Sequence, residues 1–350
     1  MIEAVLQHQG QIFLAFLHIG AGALSLLFNR TFFAGFFYAR PETMTTAFIT
    51  HPAFLKHDMG SHHPEQPARL MAIEDQLIAS GIAPLLTRID APQGRLADIE
   101  RVHPMDYIVE IRNAAPQTGI VHIDPDTAMC AGTWEALLRG TGAAVLATDL
   151  VMAGEVDNAF CSVRPPGHHA MRARAMGFCF FNNVAVAAKH ALEHHGLERV
   201  AIVDFDVHHG NGTEDIFAGD ERVLMTGIFQ HPFYPYSGTE RPAANMLNVP
   251  LAAGAGSAAL REAVTGVWLP ALEAFKPQMI FFSAGFDAHA EDDMAMLRLH
   301  DADYAWVTKQ IKAVADRHAK GRIVSMLEGG YALSALGRSV AQHIKALGDL

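Results

Sequence analysis

The 350-residue sequence predicts an α/β domain built on a parallel sheet with crossover helices, and three observations predict it. Short apolar runs with little polar alternation recur along the chain, as strands covered on both faces require. Longer stretches with apolar residues at helical spacing lie between them. The clusters of ionisable residues fall just after the apolar runs, where an open α/β sheet places its ligands.

In chain order, residues 1–43 stand apart. Ile12 to Phe28 is apolar except for His18 and Ser25, and a second apolar patch runs from Phe32 to Tyr38. Glu3 is the only charge before Arg30, so the basic leader of a secretory signal is missing. The run is borderline for a membrane span, which needs at least about 17 residues. Residues 1–43 are expected to be an extension outside the working domain, either upstream of a start at Met44 or an arm for membrane or partner association. A single domain over residues 44–350 is expected to follow.

Within that domain the first helix is expected over residues 67–79, where Leu70, Ile73 and Leu77 form one stripe and Gly81 offers a helix end. Further helices are expected over 133–152, 182–195 with Gly196 behind it, 257–275 and 301–319. Strands are expected at 159–163, 200–206, 223–229, 279–283 and 322–327. No internal repeat or low-complexity linker divides the chain.

Composition narrows the function classes. Twenty-six basic against 37 acidic residues give a formal charge of -11, which argues against broad nucleic-acid binding through phosphates. Cys130, Cys161 and Cys179 are too few and too scattered for a disulfide framework or a cysteine zinc cluster. A reducing, cytoplasmic setting is therefore expected, and any metal must use histidine and carboxylate. The composition leaves self-association open.

Four clusters carry chemistry. In Asp204-Phe205-Asp206-Val207-His208-His209-Gly210-Asn211-Gly212, an extended strand would point Asp204, Asp206 and His208 to one side, and an Asp and a His so spaced offer two metal ligands. Such crowding of carboxylates and imidazoles is costly without a counter-charge. In Arg164-Pro165-Pro166-Gly167-His168-His169, a stiff turn can hold two histidines for separate jobs, one moving a proton and one supplying charge. The strand ending at Ser283 delivers Asp287 to a glycine turn as a long-range third ligand, leaving one position open for water. Glu328-Gly329-Gly330-Tyr331 lets a tyrosine hydroxyl approach a bound carbonyl.

Together the motifs RPPGHHA, GFCFFNN, DFDVHHGNGTEDIF, SAGFDAH and LEGGY, in this order, resemble the histone deacetylase superfamily, with its acetylpolyamine amidohydrolases and acetoin-utilisation proteins. His63-Pro64-Glu65 and Pro67-Ala68-Arg69-Leu70 fit its entry region. The resemblance implies a three-layer arginase-like fold with a central parallel sheet of about eight strands and helices on both faces. It implies zinc on Asp206, His208 and Asp287. His169 matches the family's general base, His168 its charged partner, Asp204 the carboxylate behind His168, and Tyr331 the carbonyl-polarising hydroxyl. Asn211 stands behind His169, as in the class II-like branch. Gly177 lies in the motif beside Phe178, which with Tyr234 matches the aromatic walls of the substrate tunnel. Arg69 matches an arginine beside the inner channel.

The implied activity is zinc-dependent removal of acetyl or other acyl groups from an amine, acyl-lysine first and acetylpolyamine or another small acylamine as the alternative. Met294 stands at the usual gatekeeper position, and Glu291, Asp292 and Asp293 share its loop and are available to a cationic substrate. A structural potassium ion is a lesser expectation, because Gly227-Ile228-Phe229 replaces the run whose serine helps to bind it. Two other classes are set against this reading. A two-manganese ureohydrolase would share the fold but need further His and Asp ligands, and an inactive binding module would normally have lost a ligand or the tyrosine.

Overall fold

The apolar runs become strands of one eight-stranded sheet in the computed structural model, which describes residues 44–350. The expectations for residues 1–43 lie outside the described residues. In chain order the strands are β1 (Thr46–Thr50), β2 (Thr87–Asp90), β3 (Ile120–Asp124), β4 (Thr127–Cys130), β5 (Asn158–Cys161), β6 (Val200–Asp204), β7 (Val223–Gln230), β8 (Met246–Leu251), β9 (Met279–Ala284) and β10 (Ile323–Leu327). Strands β3 and β4 form a separate antiparallel pair. The other eight pair in parallel throughout, in the order β2-β1-β5-β10-β9-β6-β7-β8.

Parallel neighbours need crossovers, and helices supply them. They are α1 (Ala68–Ala79), α2 (Leu96–Glu100), α3 (Met105–Ala114), α4 (Thr133–Ala153), α5 (Asn183–Glu193), α6 (Asn211–Phe217), α7 (Ser257–Ala263), α8 (Leu269–Phe275), α9 (Asp301–His318) and α10 (Leu333–Gly348). They cover both faces of the sheet, with α4 packed on α5 and α10 packed on α1 and α9. Helix α4 is long and apolar enough to cross a membrane, yet it is a core helix with Ala136, Ala143, Ala144 and Ala147 fully buried. Central strands such as β9 and β10 are buried along their whole length, which explains sequences apolar but for one serine each, Ser283 and Ser325.

The helix expected over 257–275 contains a π-type turn at Val264–Trp268 between α7 and α8. Pro270 explains it: proline has no N–H to give, and its ring would collide with the carbonyl one helical turn back, so the backbone widens there.

Sheet order positions the site. Strands β5, β10, β9 and β6 are consecutive neighbours at the centre. The loops leaving their C-terminal ends therefore meet above the middle of the sheet, although they start between residues 162 and 328 of the chain.

Candidate active site

Strand β6 stops at Asp204, two residues earlier than its apolar pattern suggests. The reason lies in its own carboxylates. Asp204 Oδ1 accepts the N–H of Asp206 at 3.1 Å, and Asp206 Oδ1 accepts the N–H of His208 at 2.9 Å. These local bonds turn the chain out of the pleat, so a loop and not strand alternation aims Asp206 and His208.

The loop brings Asp206 and His208 to Asp287, and one ligand atom from each of the three lies within 4.8 Å of the others. His208 Nδ1 is 3.0 Å from Asp206 Oδ1 and 3.3 Å from Asp287 Oδ2. Asp287 Oδ1 takes the Val207 N–H at 2.9 Å, whereas its Oδ2 is buried without a hydrogen-bond partner. Burial and the neighbouring Asp206 push the Asp287 carboxyl up to about 6. Asp204, Asp206 and Asp287 set three buried carboxylates against the rings of His168 and His208, which leaves positive charge wanting, and the Asp287 oxygen without a hydrogen bond shows where it is needed. The donor set of two carboxylates and one imidazole fits zinc in a site that keeps a position open. Bare backbone closes the cradle: a Cβ on Gly329 would come within 2.0 Å of Asp287 Oδ2, and one on Gly285 within 2.0 Å of Asp206 Oδ2.

His168 and His169 lie side by side, ring centroids 4.1 Å apart, with opposite electrostatics. Burial alone would discharge His168, but Asp206 and Asp204 outweigh it and hold its pKa well above the usual imidazole range. Asp204 Oδ2 lies 3.0 Å from His168 Nδ1. His169 is held well below that range by burial and by the charges of His168 and His208. Its Nδ1 lies 2.7 Å from Asn211 Oδ1, which as a carbonyl oxygen accepts the ring N–H and leaves Nε2 as the basic nitrogen. Glu328 Oε2 supports the turn by accepting the N–H of Gly167 at 2.6 Å and of His168 at 3.0 Å.

A cavity of about 250 Å³ opens onto these groups. His169, His208 and Tyr331 reach it from within, while Phe178, Phe233, Tyr234 and Met294 form mostly apolar walls. Gly177 also lines it, at φ 58°, and a Cβ there would stand 2.3 Å from His169 Cδ2. Burial raises the Tyr331 hydroxyl well above its ordinary pKa, so it remains a donor.

Tyr331 is held from two sides. Arg69 sits 4.9 Å from its ring centroid and donates to the carbonyls of Gly330 at 2.6 Å and Glu328 at 2.5 Å, with Glu65 as its counter-ion at 3.1 Å. Asp292 accepts the backbone N–H of Tyr331 and Ala332 from the other side. Two of the three loop acids are thereby accounted for. Asp292 is buried under the tyrosine turn and is not available to a cationic substrate, whereas Glu291 pairs at the surface with Arg338 at 2.7 Å. Potassium gains no support, because Gly227 offers no side chain where the resembled run carries its serine.

Every residue singled out as catalytic, tunnel-lining or metal-binding thus comes to one place. Sequence reading named Glu328 and Asp292 without their roles as acceptors of backbone N–H groups, and it missed Phe233 and Asp126. Asp126 lines the cavity and accepts the Gly177 N–H at 3.1 Å. Glu328 lay inside a motif already noted, and its place directly after the apolar run of β10 was the available signal.

Comparison with known proteins points the same way as this geometry. The family model described as histone deacetylase domain matches residues 63–347. A histone deacetylase-like amidohydrolase of Pseudomonas aeruginosa is 39% identical over 313 residues, covering 83% of this chain and 82% of that protein. A probable deacetylase of Archaeoglobus fulgidus is 36% identical over 298 residues, 83% of this chain and 82% of that protein. A mouse protein named polyamine deacetylase HDAC10 is 35% identical over 81% of this chain and 44% of its own length. The solved HDA15 HD domain superposes with a TM-score of 0.82 at 32% identity, covering 88% of this chain and 90% of that one. With its sheet order, its loop constellation and these relatives in agreement, the chain belongs to the histone deacetylase family.

Proposed function

We propose that this chain is a zinc-dependent amidohydrolase that removes an acyl group, acetyl in the first instance, from an acylated amine, with acyl-lysine as the favoured substrate class. The observation that carries the reading is the buried Asp206-His208-Asp287 cluster beside a neutral His169, at the inner end of an aromatic-walled cavity.

A zinc ion held by Asp206, His208 and Asp287 would supply Lewis acidity to the amide oxygen and to the attacking water. His169 does the proton work. Its Nδ1–H is fixed on Asn211, so Nε2 takes a proton from the water as the carbon–oxygen bond forms and returns it to the amine nitrogen as the carbon–nitrogen bond breaks. His168 stays an imidazolium on Asp204, which keeps the neighbouring His169 from holding a proton at rest. Tyr331 donates its hydroxyl to the carbonyl oxygen as negative charge develops there. The products are a carboxylic acid and a free amine, with water as the only co-reactant.

Phe178 and Tyr234 suit a flat amide on a slim alkyl stem, stripping water from the stem while the carrier stays outside. Met294 makes the wall neutral where an acid would favour a second ammonium. One feature favours the polyamine alternative: Asp126 brings a carboxylate to the cavity lining. The test is a panel of acetyl-lysine peptides and acetylated polyamines with purified zinc-loaded protein. Higher kcat/KM on the peptides is expected, and loss of turnover on chelation. Preference for polyamines would reverse the substrate assignment, and no turnover of either class would overturn the enzyme.

A further inference from the structure

A second cluster of metal-binding side chains lies away from the site. Asp149 near the end of α4, His190 in the last turn of α5, and His194 and His195 just beyond it offer ligand atoms that all lie within 4.8 Å of one another. Both helices begin beside loops of the active-site edge and run back to the opposite edge of the sheet. There α4 leads into β5 and α5 into β6. The cluster shares no residue with the catalytic constellation.

Its geometry is that of a chelate. His190 and His194 are one helical turn apart, the spacing at which two imidazoles on one face can bind the same ion. Their rings stack with centroids 4.7 Å apart, and the His195 ring stands edge-on to both at 5.2 and 4.9 Å. Asp149 faces them from the neighbouring helix, and its Oδ1 is 2.7 Å from both His190 Nε2 and His195 Nε2. One carboxylate oxygen between two imidazole nitrogens is the arrangement a divalent cation would replace, with ion–ligand bonds of about 2.0 to 2.2 Å.

His190 is 1% exposed, and its other nitrogen, Nδ1, is buried with no hydrogen-bond partner.

We propose that Asp149, His190, His194 and His195 form a second cation site that takes zinc or a similar imidazole-preferring divalent transition metal and clamps α4 to α5. Three imidazoles and one carboxylate complete a tetrahedral set without a water, which suits a structural role and not a second reaction centre. The half-exposed position of Asp149 and the exposure of His194 leave the ion a path in from solvent.

The test is equilibrium dialysis of the full chain against micromolar zinc, followed by metal analysis. The wild type should take up one more zinc per chain than a His194→Ala/His195→Ala double variant, with deacetylase turnover equal in the two. An Asp287→Asn variant should keep the α4–α5 ion, and zinc should raise its unfolding temperature. That rise should vanish when the double substitution is added. Equal zinc uptake by the wild type and the folded double variant overturns the site, whatever the protein does to acetylated amines. If the double variant does not fold, Asp149→Asn serves the same comparison, because that side chain is 43% exposed.

Discussion

Asp292 Oδ2 accepts the backbone N–H of Tyr331 at 2.6 Å and of Ala332 at 2.9 Å, while its Oδ1 takes the Met294 N–H at 3.1 Å. One buried carboxylate therefore fixes both the turn that presents Tyr331 and the residue that forms the neutral tunnel wall. Such bonds to a charged acceptor are among the stronger hydrogen bonds in proteins. Asp292→Ala should lower kcat about 10- to 100-fold by letting the tyrosine drift. Zinc content should stay at the wild-type level, because the Asp292 side chain hydrogen-bonds to Met294, Tyr331 and Ala332 and to none of Asp206, His208 and Asp287. A steady-state assay beside metal analysis checks the split, and loss of zinc would argue for general damage.

Tyr331→Phe removes only the hydroxyl and leaves the ring packed under Arg69 and against Phe178. Loss of one oxyanion donor typically costs about 100- to 1,000-fold in rate, and that range is expected here with zinc affinity unchanged. Wild-type turnover in the variant would remove Tyr331 from the mechanism.

Asp287→Ala should behave in the opposite way, losing the catalytic zinc before any rate on the loaded protein can be measured. The buried pair Asp206 and His208 would then satisfy each other at 3.0 Å, with no second carboxylate to demand a divalent charge. Zinc competition with a chromogenic chelator reads the affinity directly, and an unchanged affinity would exclude Asp287 as a ligand.

Gly177→Ala tests how closely the tunnel wall approaches the base. The new methyl would meet His169 Cδ2 at 2.3 Å, from a backbone at φ 58° that alanine tolerates poorly. Either the ring or the loop must move. A displacement of about 1 Å at a proton-transferring group costs about 100-fold in kcat. Activity close to wild type would show that the loop can yield without disturbing His169.

What could be read from the sequence and what could not separate along physical lines. The central strands were legible because burial on both faces leaves a single small serine in each of the otherwise apolar runs of β9 and β10. Edge strand β2 was not, since Thr87-Arg88-Ile89-Asp90 faces solvent over most of its length and reads as a loop. Helix α10 was also missed. Glu328 to Tyr331 drew attention to its tyrosine, and the buried stripe of Leu336, Val340, Ile344 and Leu347 directly after it was passed over. Within the site, ligands and histidines carry their chemistry in their residue type. Asp292 and Glu328 do not, because their work is to accept backbone N–H groups from segments that only the sheet order brings near. The acids of the 291–293 loop were left open to a cationic substrate, and the fold turns Glu291 to Arg338 and Asp292 inward.

His343, which sequence reading did not single out, should make the fold sensitive to mild acid. It is fully buried among Phe160, Phe205, Phe282 and Phe286. Its Nδ1 is 2.6 Å from Thr308 Oγ1, and its Nε2 is 2.8 Å from Ser325 Oγ. Because the Thr308 hydroxyl donates to the Tyr304 carbonyl, it must accept from His343 Nδ1–H, and Ser325 then donates to Nε2. The neutral ring is satisfied and an added proton would be a buried, unpaired charge. Burial accordingly lowers its pKa to about 3 from the usual 6.5. The unfolded chain therefore binds the proton first as pH falls. The stability carried by the neutral ring is complete above about pH 6.5 and drains away as pH drops toward 3. Between pH 7 and pH 5 that amounts to about 2 kcal/mol. His343→Gln should be less stable than the wild type at pH 7, and the gap measured by urea unfolding should narrow by about that amount at pH 5. A gap that stayed constant across the two pH values would mean that His343 titrates alike in the folded and unfolded chain.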